Sequence, residues 1–212
     1  MLVTMNYFDE AATTWDDQPH RVRLMKTIGE SIVREAAPTK DMAVLDYGCG
    51  TGLVGLYLLS YVRTITGADS SLGMLDILHS KIDAGGLKAM KVIQLDLEKD
   101  DVPADRYDMI VTGMAMHHIA NTDRVLNAFH EMLVPGGMVC IADLDTEPGT
   151  FHTGQSAASV HHRRFDRQEI KQRLKRAGFA NASDSTVVKF RKPVDSGGDE
   201  EFSIFLITAR RS

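Results

Sequence analysis

Hydrophobic positions along this chain follow two different periods. In the first 40 residues, Val22, Met25, Ile28, Ile32 and Val33 approximate one helical face and stop ahead of Pro38, so this stretch is expected to be helical. From there the pattern becomes short apolar runs at 42–45, 62–68, 89–95 and 107–112, each with the length and bounding of a buried parallel strand. Helical periods lie between and beyond them: Leu53, Leu56 and Leu59 follow the first run, and Val125, Leu126, Phe129 and Met132 follow Thr122-Asp123. Strands alternating with helices predict an α/β chain on a parallel sheet. Residues 146–165 show no clear period and are expected to form a mobile insertion. Asp166 is placed to cap a helix over 167–177 that Gly178 ends, and runs at 187–191 and 201–209 predict a closing hairpin around Asp195-Ser196-Gly197-Gly198. The expected layout is one domain with a helical amino-terminal segment (1–40), a β/α core (41–145), a loop (146–165) and a terminal helix and hairpin (166–212).

The first strand runs into Asp46-Tyr47-Gly48-Cys49-Gly50-Thr51-Gly52, an acidic residue followed by three glycines spaced two apart. Glycine is the residue that both takes positive φ and lets backbone approach a ligand closely. Alone, such a turn reads equally as a plain strand-to-helix connection. The later strands weigh against that: the second ends at Asp69, the third at Asp96-Leu97, and the fourth at Gly113-Met114-Ala115-Met116-His117-His118. Each places a polar or unusual group just past a strand's carboxyl end, where open parallel sheets bind ligands. Asp69 follows Asp46 by 23 residues, close to the offset at which a carboxylate meets ribose hydroxyls. A dinucleotide enzyme needs its third glycine three residues after the second, and here that position is Leu53. No G-x-x-x-x-G-K-[ST] occurs either, which argues against a phosphate-handling P-loop.

These residues resemble the class I S-adenosylmethionine-dependent methyltransferases, particularly their small-molecule branch. Asp46 to Gly52 is similar to the family's glycine-rich first motif, Gly67-Ala68-Asp69-Ser70-Ser71 with Met74-Leu75 to its ribose-binding second motif, and Asp96-Leu97 to its adenine contact. Leu133-Val134-Pro135-Gly136-Gly137 resembles the turn before the fifth strand, and Arg176-Ala177-Gly178-Phe179 the helix exit before the sixth. The resemblance covers most of the chain. It implies a doubly wound, Rossmann-like, mostly parallel seven-stranded sheet closed by an antiparallel hairpin, under a helical amino-terminal lid. It implies S-adenosylmethionine as cofactor and S-adenosylhomocysteine as product. The cofactor residues expected on this basis are Asp46, Gly48, Cys49, Gly50, Asp69, Ser70, Met74, Asp96, Leu97 and Met114, with Asp69 on the ribose and Asp96 on the adenine amino group. Tyr7, Trp15 and Arg21 are the lid residues expected to close over the methionine end of the cofactor, as substrate-side residues.

Five of the eight histidines, His117, His118, His152, His161 and His162, fall in segments expected over one edge of the sheet. Imidazole titrates near working pH, so the set suits deprotonation of a protic acceptor, with His117 or His118 as first choice for base. His152, His161 and His162 are expected on the substrate side. A zinc or iron site is the weaker alternative, since the histidine spacings match no recognised ligand pattern and no carboxylate triad accompanies them; no metal ligand is assigned, and whether a base or a metal is used is left undetermined.

With 212 residues, 43% hydrophobic and 25% charged, the chain has ordinary globular composition and can bury a sizeable core. A net charge of −5 supplies no electrostatic reason to expect nucleic acid, and His161-His162-Arg163-Arg164 reads instead as a solvated stretch or a contact for a small anion. Two cysteines, Cys49 and Cys140, have no C-x-x-C or metal-ligand spacing and read as a small loop residue and a core residue. No apolar run approaches membrane-spanning length, so a cytoplasmic location is expected, with a homodimer allowed. Two functional readings stay open: methyl transfer to a small-molecule acceptor, or non-catalytic cofactor binding on the same fold. The acceptor atom is left undetermined.

Overall fold

The computed structural model describes residues 7–146, 150–152, 155–163, 165–194 and 197–212. Its centre is a seven-stranded sheet in the order β3-β2-β1-β4-β5-β7-β6. The strands are β1 (Ala43–Tyr47), β2 (Thr64–Asp69), β3 (Met90–Gln94), β4 (Tyr107–Gly113), β5 (Leu133–Leu144), β6 (Phe179–Pro193) and β7 (Asp199–Arg211). β1 to β5 pair in parallel, and β7 runs antiparallel to both β5 and β6. The doubly wound, mostly parallel sheet with a closing hairpin expected from the sequence is therefore present.

Strand periodicity sorts the core into two layers. Leu45, Ile110, Ile141, Phe205 and Ile207 point to one face, and Val44, Met109, Val111, Cys140, Ala142, Ile204 and Leu206 to the other. Both faces are covered, so the inner strands are mostly apolar rather than alternating with polar residues, the buried exceptions including Asp46, Thr66, Thr112 and Asp143. Helix α5 (Thr122–Met132) buries Val125, Leu126, Phe129 and Met132 on the first face, and α7 (Arg167–Arg176) adds Ile170 and Leu174. On the second face lie α2 (Pro19–Ala36), α3 (Leu53–Leu58) and α4 (Leu72–Gly85), through Ile28, Ile32, Val54, Leu58, Leu75 and Leu78. Ahead of α2 sit α1 (Tyr7–Ala11) and a 3-10 turn at Ala12–Asp17, and the short α6 (Gln155–Ala158) lies between β5 and α7.

Several boundaries differ from expectation. α3 buries Val54, Gly55 and Leu58, whereas Leu53, Leu56 and Leu59 are only half-buried. The helix is turned this way because Gly55 lies against Asp46, at a distance that no side chain would allow: an added Cβ would come within 2.8 Å of Asp46 Oδ2. The Leu133–Gly137 segment is part of β5, pairing Leu133 with Tyr107 before a bulge restores register at Met109 and Met138. The hairpin strands are far longer than 187–191 and 201–209, because β6 is a sheet edge whose solvent side carries polar residues that mask its period. Its tip residues Asp195 and Ser196 lie outside the described residues. Asp166 does cap α7, accepting from the backbone N–H groups of Gln168 (2.8 Å) and Glu169 (3.0 Å).

Candidate active site at the sheet switch point

Strand order reverses between β1 and β4, and the loops leaving these two strands meet. Gly48 and Ala115 approach so closely that a Cβ on Gly48 would lie 2.5 Å from Ala115 Cβ. Gly48, Gly50 and Gly52 all have positive φ (67°, 52° and 82°). Two of them are required by the protein itself: Gly48 by Ala115, and Gly52 by the Leu78 side chain. Gly50 differs, since its Cβ would meet only Met74 Sδ at 3.8 Å, leaving that side of the loop open. The loop is anchored by the Gly48 and Cys49 N–H groups, both donating to the Ala68 carbonyl (2.8 and 3.0 Å).

Asp46 and Asp69 do different work. Asp46 is buried and accepts from the Gly55 N–H (2.9 Å), holding the start of α3 against β1 rather than presenting a free carboxylate to a ligand. Burial pushes its carboxyl up to about 7, against the lowering effect of the Gly55 hydrogen bond. Asp69 accepts from Gly50 N–H (2.8 Å) through one oxygen and Ser71 N–H (2.9 Å) through the other, so the carboxylate sits beside the open face of Gly50. Burial raises its pKa, and the backbone donors oppose that rise. A partly buried carboxylate beside an open positive-φ glycine fits the ribose end of a nucleoside cofactor. Ser70 contributes its carbonyl to Gln94 Nε2 (3.2 Å).

Beyond β3, Asp96 accepts from Glu98 N–H (3.0 Å) and pairs with Lys99 (2.7 Å), forming a side-chain-closed turn. Leu97 is buried, its N–H donates to Tyr47 Oη (3.1 Å), and its carbonyl accepts from Arg124 Nε (2.8 Å). Met74 is likewise buried. Met114 holds a positive φ of 58°, a conformation costly for a side chain of its kind, and its N–H donates to the Ala142 carbonyl (2.8 Å). Burial drives the Cys49 thiol well above its usual range and Cys140 up to about 12, so neither is a nucleophile near neutrality.

The amino-terminal segment is pinned over both motifs. Asp9 accepts from Ser71 Oγ (2.6 Å) and Gly73 N–H (3.0 Å), while Ser71 itself caps α4 by accepting from Met74 N–H (3.2 Å). Asp16 accepts from Thr51 Oγ1 (2.7 Å) and pairs with Lys81 (2.5 Å). Tyr7 packs edge-on against Phe8, Phe8 packs against both Trp15 and His118 (ring centroids 5.8 and 4.9 Å), and the Arg21 guanidinium lies 3.6 Å over the Trp15 ring. The lid thus reaches the histidines through Phe8, a contact its sequence pattern did not single out.

Three of the five histidines converge. His117 and His118 form a 3-10 turn with Met116 after β4, and His152 comes from the segment after β5. His117 Nδ1 lies 2.6 Å from Asp143 Oδ1 with both side chains buried, and the His117 backbone N–H donates to the other Asp143 oxygen (3.2 Å). His117 Nε2 faces His152 Nε2 at 3.1 Å, and His118 Nδ1 faces the Ser159 carbonyl at 2.9 Å. Burial, reinforced by the neighbouring imidazoles, lowers His118 to about 4 and His152 to about 3, so both are neutral at pH 7. His161 and His162 do not join the cluster by their rings. Their N–H groups donate to the His117 carbonyl (2.9 and 3.0 Å), His161 is exposed, and His162 packs on Phe165. Arg164 lies outside the described residues. The candidate site residue missed from the sequence is Asp143; its signal was an acidic residue near the end of an apolar strand, the same pattern that marked Asp46 and Asp69.

Comparison with known proteins agrees with this geometry. A family model described as a methyltransferase domain matches residues 20–184. An uncharacterized methyltransferase of Schizosaccharomyces pombe is 32% identical over 154 residues, covering 66% of this chain and 54% of the relative. A ubiquinone biosynthesis O-methyltransferase of Dinoroseobacter shibae is 26% identical over 114 residues, covering 54% of this chain and 46% of the relative. The chain therefore spans about half the length of these curated relatives. Among solved structures, a SAM-dependent methyltransferase from Aquifex aeolicus superposes with a TM-score of 0.71 at 20% identity, over 96% of this chain and 98% of that one. Haemonchus contortus phosphoethanolamine N-methyltransferase 2, in complex with phosphomonomethylethanolamine and S-adenosylhomocysteine, superposes with a TM-score of 0.74 at 15% identity, over 99% of this chain and 61% of that one. From the glycine loop, the Asp69 carboxylate, the sheet order and the matched domain together, the chain belongs to the class I S-adenosylmethionine-dependent methyltransferases.

Proposed function

We propose that this chain transfers a methyl group to a protic atom of a small-molecule acceptor docked at the His117, His118 and His152 cluster. The observation that carries this reading is the placement of that cluster: it is built on the turn two residues beyond Ala115, the residue that touches Gly48 of the cofactor loop. The cofactor supplies a methyl group already activated on a sulfonium. The chain's own residues bind, orient and exclude water, which is where proximity catalysis draws its rate. Asp69 accepts the ribose hydroxyls, Gly50 gives backbone access, and Phe8, Trp15 and Tyr7 close the acceptor side. Asp143 holds His117 in one orientation, and the acceptor's proton leaves at the cluster.

Relatives of this chain include proteins named as an O-methyltransferase and as a phosphoethanolamine N-methyltransferase, which supports small acceptors without choosing among them. Among the described residues, no helix is long and apolar enough to cross a membrane. The test is turnover. Incubating the protein with methyl-labelled S-adenosylmethionine and pools of small phenols, thiols and amines is expected to yield S-adenosylhomocysteine in step with a labelled small-molecule product. Saturable cofactor binding with no transfer to any pool would instead assign a binding or regulatory protein.

A further inference from the structure

The sequence offers no metal-ligand spacing, yet the fold assembles one. We propose that His117, His118 and His152 form a site for a single divalent transition-metal ion of the zinc class, with a coordination position left open for the methyl acceptor. One imidazole nitrogen from each lies within 4.8 Å of the other two. His117 Nε2 and His152 Nε2 are 3.1 Å apart, close to the separation of about 3.4 Å for two nitrogens each about 2.0–2.1 Å from one tetrahedral ion. A small adjustment of the His152 ring satisfies both lone pairs with one cation.

The surroundings are those of metal-bound imidazoles. Histidine ligands turn the second ring nitrogen toward a carboxylate or a backbone carbonyl, which fixes ring orientation. His117 Nδ1 meets the Asp143 carboxylate, and His118 Nδ1 meets the Ser159 carbonyl. His117 is further held through its backbone, by Asp143 on its N–H and by the His161 and His162 N–H groups on its carbonyl. His152 follows Phe151, whose ring packs against Phe190 and Phe202. Among the described residues no fourth side chain joins the group, and three protein ligands with one open position is the catalytic form of a zinc site.

This site deepens the proposed function and rests on its placement of the acceptor. A hydroxyl or thiol entering the open position loses its proton to solvent on coordination. Its oxygen or sulfur lone pair then forms the new bond to the methyl carbon as the carbon–sulfur bond of the sulfonium breaks, its electrons leaving with sulfur as a neutral thioether.

Cobalt(II) is the probe. Untagged full-length protein, stripped with chelator, is titrated with cobalt(II) and followed by visible d–d absorption and calorimetry, with zinc(II) as competitor. The expected result is one ion per chain, tetrahedral bands, and displacement by zinc. His152→Gln and His118→Gln are each expected to weaken binding at least tenfold, and Asp143→Asn about 10–100-fold through its hold on His117. Circular dichroism checks that each variant folds, and His152→Gln, which removes no core side chain, keeps the test decisive. Absence of bands, or cobalt affinity unchanged in folded His152→Gln, overturns the site. Methyl transfer that persists in chelator overturns the metal but leaves the acceptor reading intact. Cobalt bound at the three histidines in a protein that methylates no acceptor keeps the site and overturns that reading.

Discussion

At the residue scale, the proposed function assigns cofactor recognition to Asp69 and acceptor chemistry to His117. The Asp69 carboxylate is oriented by two backbone N–H groups and stands beside the open side of Gly50. Asp69→Ala is expected to remove a charge-assisted contact worth about 1.5–3 kcal/mol, weakening S-adenosylmethionine and S-adenosylhomocysteine alike. Calorimetry showing unchanged affinity for both in a folded variant would remove Asp69 from the site. His117→Gln should instead leave cofactor affinity intact and lower turnover by about 10²–10⁴. Full turnover in that variant on the true acceptor would detach the cluster from the chemistry.

At the element scale, the junction of β1 and α3 depends on one buried carboxyl. Asp46 sits beneath Gly55 with its pKa raised by burial to about 7, whereas in the unfolded chain it titrates near 3.8. Between those values the unfolded state releases a proton that the folded state keeps, so this group's contribution to stability falls as pH rises from about 4 to 7. Asp46→Asn keeps an acceptor oxygen for Gly55 and has no such titration. Its stability relative to the parent should therefore improve across that window, by up to about 4 kcal/mol. Parallel denaturation curves at pH 4 and pH 7.5 measure the difference, and a pH-independent gap would show that Asp46 is ionised throughout.

At the scale of the whole molecule, the candidate cofactor site lies where the strand order reverses, between loops from both halves of the sheet and the amino-terminal segment pinned over them. A ligand held only by the folded state stabilises it by about 2.7 kcal/mol at one hundred times its dissociation constant. For a chain of this size that corresponds to a rise in Tm of roughly 5–11 °C. S-adenosylhomocysteine should produce this shift in the parent and only a fraction of it, at the same concentration, in Asp69→Ala. A full shift in the variant would place the nucleoside elsewhere.

Local rules were enough for the sheet and the cofactor loop. Gly48, Gly50 and Gly52, the acidic strand ends Asp46 and Asp69, and the Asp166 cap are short-range patterns, because positive φ, strand length and capping depend on neighbours in sequence. The edge strand β6 and the inward face of α3 were not legible, since an edge has only one side to bury and a short helix is rotated by what it packs against. The histidine cluster is the clearest case. His117 and His118 stand 34 residues or more from His152, and Asp143 belongs to the next strand. Sequence alone put all five histidines above one sheet edge. Only the parallel pairing of β4 with β5 brought three of them onto one point with Asp143 behind them, because ring convergence is set by strand adjacency in space and not by spacing along the chain.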